Sequence, residues 1–140
     1  MKSLTITLAL LFASLGFGQT VAPPTMTGDF SNGRLWNVLN SGEKTIYVQA
    51  FIEGLSASGV ERKIIDEYTA SAATVGEAKR GIDQFYQKPE NLALPIFFAL
   101  RTFTDKVKGV PAADIDAKLA AVRKYYSSIV VIPATPDKEN

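Results

Sequence analysis

Ser41 and Lys44 of "SGEK" stand three residues apart. In this Ser-x-x-Lys spacing one helical turn sets a lysine amine beside a serine hydroxyl that it can activate for acyl transfer. The companion motifs of that chemistry, Ser-Asp-Asn and Lys-Thr-Gly, do not occur in the chain, and 140 residues are too few for the enzymes that use it. Ser41 therefore reads as a helix cap. Carboxylates are the next option. A glycosidase needs two of them about 5–10 Å apart, one kept protonated by an apolar pocket. Glu53, between Phe51-Ile52 and Gly54, and Asp83, beside Ile82 near Phe85-Tyr86, are the candidates for a cell-wall glycan hydrolase. Both lie off the apolar stripes of their segments and are expected to face solvent. Asp114-Ile115-Asp116 resembles the start of a calcium loop but lacks its later glycine and closing glutamate.

The chain has no histidine and no cysteine. Imidazole and thiolate metal sites, the usual haem ligation by histidine or cysteine, Ser-His-Asp and Cys-His catalysis are all out of reach of such a composition. No metal and no cofactor is expected. Binding is the chemistry left over. On a 3.6-residue wheel Phe98 lies nearly opposite the Ile96-Leu100-Phe103-Val107 stripe, on the side of Arg101, Thr102 and Asp105. Either a second layer of helices covers it or it is an exposed aromatic contact. Phe98 and Arg101 are the candidate partner-binding residues. Trp36, the sole tryptophan, reads as core first and anchor second.

The elements that must carry these residues are helical throughout. Leu35, Trp36 and Leu39 mark a short helix after Ser31-Asn32-Gly33. Ser41 opens a second one, whose Ile46, Tyr47, Ala50, Phe51, Gly54 and Leu55 step along one face and which stops near Gly59. Gly54 on that face predicts the close approach of another backbone. Val60, Ile64 and Tyr68 follow at i, i+4, i+8. Thr74 and Glu77 fit a capping box ahead of Val75, Ala78, Ile82 and Phe85. The corner "FYQKPENLALP" then reads as a helix–helix turn, with Pro89 ending one helix, Asn91 capping the turn and Pro95 opening the next. A helix from Ile96 ends at Gly109, and a last one after Pro111 carries Ile115, Leu119, Val122 and Tyr126. Five or six short amphipathic helices with short connections make an all-α, compact bundle.

The ends are of a different kind. "MKSLTITLALLFASLGFGQ" has a positive Lys2, an apolar run from Leu4 to Leu15, and Gly16 and Gly18 placed for a cut before Gln19. This is the pattern of a secretory signal peptide over residues 1–18. The run is shorter than the about 20 residues of a membrane anchor, so no anchor is expected after processing. Residues 19–28 read as a linker, 29–132 as the helical domain and 133–140 as a disordered tail. Loss of Lys2 leaves basic and acidic residues balanced at 14 each, with no basic stripe for nucleic acid or anionic lipid.

"GRLWNVLNSGEKTIYVQAFIEG" resembles a pattern of small exported bacterial all-helical proteins, carried here by Gly33, Trp36, Leu39, Lys44, Tyr47, Val48, Phe51 and Gly54, with Ala50 where the pattern has glycine. "IDQFYQKPENLALPI" is similar to a second hallmark of the same group. Their nearest characterised likeness is to the Rap/Tai-type immunity proteins of type VI secretion, small periplasmic helical proteins, often dimeric, that block a peptidoglycan-cleaving effector. The resemblance spans roughly residues 29–126 and implies a periplasmic or secreted protein that occludes a partner protein, or pairs with itself as a homodimer. The expected function is thus non-enzymatic binding; a glycan hydrolase and a structural or stress-related envelope protein are the other readings.

Overall fold

The computed structural model describes residues 25–129. The expected signal peptide, the first part of the expected linker and the expected C-terminal tail lie outside them. Six α-helices dominate the described residues, as the periodicity requires: α1 Gly33–Val38, α2 Ser41–Ala57, α3 Arg62–Tyr68, α4 Val75–Phe85, α5 Ile96–Val107 and α6 Ala112–Ser127. None is long and apolar enough to cross a membrane.

Helix starts follow local chemistry. Asn32 caps α1 by accepting from the Arg34 amide. At α2 the cap is Asn40, one residue before the expected Ser41: its Oδ1 accepts from the amides of Gly42 and Glu43, and the Glu43 carboxylate accepts from the Asn40 amide. Thr74 and Glu77 form the expected reciprocal box at α4. α2 and α5 run out at Gly59 and Gly109, whose φ of 73° and 75° suits glycine best.

One feature departs from the all-helical expectation. Met26–Thr27 (β1) pairs antiparallel with Phe30–Ser31 (β2) in a small hairpin. Residues 25–28 therefore belong to the domain and not to a linker. The reason is distant: Thr27 is buried and its hydroxyl donates to the Ala93 carbonyl at 2.7 Å, while Asn32 bridges to Pro95. Nothing within the segment itself signals those partners.

α5 is the central element, packed on α3, α4 and α6, with α4 also against α2. Its burial is accordingly not a single stripe: Ile96, Ala99, Leu100, Thr102 and Thr104 are all buried. Val107, expected on the buried face, is 41% exposed. The core joins these residues to Trp36, Val48, Ala78, Ile82, Phe85, Tyr86, Leu94, Ile115 and Leu119. α2 corrects the sequence reading most. Of its residues only Val48 is buried, Ile46 is 68% exposed and Ala50 is exposed. Gly54 approaches no other backbone, since a Cβ there meets nothing within 4 Å. The close approaches lie at Gly33, under the Tyr86 ring, and at Gly81, under Phe103.

Candidate functional site

Asp83 does not face solvent freely. Its Oδ1 accepts from the Trp36 indole at 2.8 Å and from Lys44 Nζ at 2.8 Å, and Lys79 Nζ stands 3.5 Å from Oδ2. Lys44 lies 5.2 Å from the centroid of the Trp36 ring, and Tyr47 meets that ring edge-on. Burial pulls the Asp83 carboxyl upward, but the hydrogen bonds from Lys44 and Trp36 and the charges of Lys44 and Lys79 outweigh it and hold the group below the usual carboxylate range. A general acid needs the opposite shift. The reason sequence reasoning placed Asp83 in water is that a wheel drawn for α4 alone shows it off the apolar stripe. α1 and α2 bring polar partners to that side.

The other catalytic candidates are equally committed or exposed. Lys44 is directed to Asp83, which spends the amine that a Ser41–Lys44 pair requires. Glu53 is exposed on α2 and accepts from Gln49 at 2.9 Å. Asp114 and Asp116 are exposed on α6, and among the described residues no group of three or more acidic side chains is placed to hold a metal.

The corner between α4 and α5 uses its polar groups on itself. Pro89–Asn91 forms one 3-10 turn. Buried Asn91 donates to the Phe85 carbonyl at 2.7 Å and accepts from Arg123 of α6 at 2.9 and 2.7 Å. The Tyr86 hydroxyl, buried beneath Gly33, donates to the Leu94 carbonyl. Burial, with the nearby Tyr47, pushes that phenol above its ordinary range, so it stays protonated as a donor.

Phe98 lies elsewhere, in a continuous ribbon of rings. Phe51 of α2 meets Tyr68 of α3 at 5.7 Å between centroids, Tyr68 meets Phe97 at 6.4 Å, Phe97 meets Phe98 at 4.4 Å, and Phe98 meets Tyr126 of α6 at 5.6 Å. Phe30 of the hairpin joins at Phe97, and Tyr125 at Tyr126. The middle rings are half-buried, whereas Phe30 is 51% and Tyr125 63% exposed. Burial, then Tyr125 and Tyr68, raise the Tyr126 phenol. Arg101, one turn beyond Phe98, pairs with Glu67 at 3.0 Å beside Tyr68.

The structure thus brings Phe98 and Arg101 to one surface and puts Phe98 partly under α6, between the two positions the sequence left open. Sequence reasoning missed Phe30, Tyr68, Phe97 and Tyr125 as its companions. The available signal was the doubling in Phe97-Phe98 and Tyr125-Tyr126. Adjacent residues point about 100° apart on a helix, so the two rings of each pair reach toward different neighbours. No family model, curated protein or solved structure matches the chain, so the site is defined by its own geometry alone.

Proposed function

We propose that this protein is an exported, non-enzymatic binding protein that acts by occluding a partner protein, in the manner of an immunity protein, through the aromatic ribbon. Export rests on the signal-peptide pattern of residues 1–18. The single observation that supports the binding surface is the run of seven touching rings from five elements, open to solvent at Phe30 and Tyr125. Rings held by one another lose little side-chain freedom on docking, and aromatic residues with arginine supply most interface hot spots. The Arg101–Glu67 pair offers a polar rim of both signs. The hydrolase reading has no such support, because Asp83 is held ionised by structural partners.

Phe98 packs between two rings, so the test uses the exposed ends. A Phe30→Ser/Tyr125→Ser double variant is expected to melt within a few degrees of the natural protein. It should lose the partner that the natural protein retains from an envelope extract, with Arg101→Ala weakening the same capture. A dimer that dissociates in the variant on sedimentation would identify the partner as a second copy. Identical captured sets from both proteins, with both monomeric, would remove the ribbon from the function.

A further inference from the structure

We propose that the space beneath the α3–α4 connection, residues 69–74, is a binding site for a small neutral molecule with a ring-sized apolar body and one hydrogen-bonding group. The connection reads Thr-Ala-Ser-Ala-Ala-Thr, whose short side chains fill little volume. Three recesses border it. Two are open clefts with charged walls, one with Glu77, Arg80 and Lys106, the other with Arg62, Asp66 and Lys108. The third, about 240 Å³, is lined by Ile52, Tyr68, Ala70, Ala73, Ala78 and Thr104 among others, and no charged side chain contributes to it. An apolar cavity of about 150 Å³ already takes up benzene. By volume a single ring fits this partly open recess with room for a substituent, and an ion there would meet no counter-charge in the lining.

Thr104 makes the site more than a packing gap. It is 1% exposed, and its hydroxyl is the buried side-chain polar atom without a hydrogen-bond partner among the described residues. A helical threonine can donate to the carbonyl four residues back, as Thr45 of α2 does to Ser41. An unmet hydroxyl is unfavourable in the interior. Threonine has two accessible χ1 wells in a helix, so a ligand bearing a donor or acceptor can draw this hydroxyl to itself. A hydrocarbon of the same size cannot satisfy it.

The probes are phenol and toluene, titrated into the purified protein while backbone amide resonances are followed. Both are expected to shift the amides around Ala70, Ala73 and Thr104, with phenol bound about five- to tenfold more tightly. Thr104→Val should melt at or above the natural temperature and bring the two affinities together. Ala73→Leu should weaken both. The proposal is overturned if neither probe shifts these amides at millimolar concentration, if the shifts map elsewhere, or if Thr104→Val leaves the preference for phenol intact. The mapping on the natural protein decides the location even if a variant folds poorly. The recess shares Tyr68 with the aromatic ribbon, but the ribbon test varies Phe30 and Tyr125, which do not line it, so this outcome and that of the partner capture are separable.

Discussion

Gly33, Gly54 and Gly81 sit in three helices under opposite constraints. A Cβ at Gly33 would fall 2.3 Å from Tyr86 Cδ1, and that ring is buried and pinned through its hydroxyl to the Leu94 carbonyl. A Cβ at Gly81 would fall 2.3 Å from Phe103 Cδ2 and 3.1 Å from the Phe103 Cβ, which moves only with α5. At Gly54 there is open space, and glycine there merely weakens α2. Gly33→Ala and Gly81→Ala should each cost about 1–3 kcal/mol as overpacking. The larger loss belongs at Gly33, where the ring is held at both ends. Gly54→Ala should add up to about 1 kcal/mol. Urea denaturation of the three variants checks the order; a destabilising Gly54→Ala or a neutral Gly33→Ala would contradict this packing. The same trio shows the reach of sequence reasoning. Gly54 was read as a close approach because it lay on an apolar stripe, yet whether a stripe meets a neighbour depends on where the neighbour goes.

Among elements, Asp83 is the tie between α1, α2 and α4, through Trp36, Lys44 and Lys79. Its carboxyl is depressed below the ordinary range. The stability it contributes is therefore complete above the unfolded value of about 4 and lost as pH falls through the lower folded value. Asp83→Asn keeps an oxygen for the indole but loses the charge that both lysines seek. It should cost roughly 1–2 kcal/mol at pH 7, the lower part of the range for hydrogen bonds to charged groups, because the carboxylate is a third exposed. Urea midpoints between pH 5 and pH 2 should fall less steeply in the variant. Glu77, held low by the Thr74 amide and hydroxyl, leaves a residual slope in both proteins. Parallel pH profiles would refute the role given to Asp83. Capping of α4 was legible beforehand, since Thr74 and Glu77 complete it within four residues. The Asp83 tie was not, because its partners stand 47 and 39 residues away.

For the whole molecule, the fold closes by anchoring its first described segment to the middle of the chain. Thr27 and Asn32 reach Ala93 and Pro95, and Arg123 of α6 is fixed to Asn91. Six residues separate the proposed cut before Gln19 from the first described residue, 25. Expression of the full chain in a Gram-negative host should yield periplasmic protein whose mass corresponds to residues 19–140. Material retained at full length in the cytoplasm would contradict the proposed export. Folding itself should not depend on redox conditions, as the chain has no cysteine.

What the amino-acid order determined by itself was local or compositional. Helix periodicity, the capping residues, the glycine stops and the absence of imidazole and thiol need no knowledge of which helices meet. They carried the all-α class and left binding as the chemistry to look for. Tertiary structure alone decided the fate of every side chain whose partner is remote: the Asp83 node, the hairpin, the open side of α2, the ribbon around Phe98 and the unmet hydroxyl of Thr104. Burial and pairing across tens of residues are properties of packing, and a wheel drawn for one helix contains no information about the second.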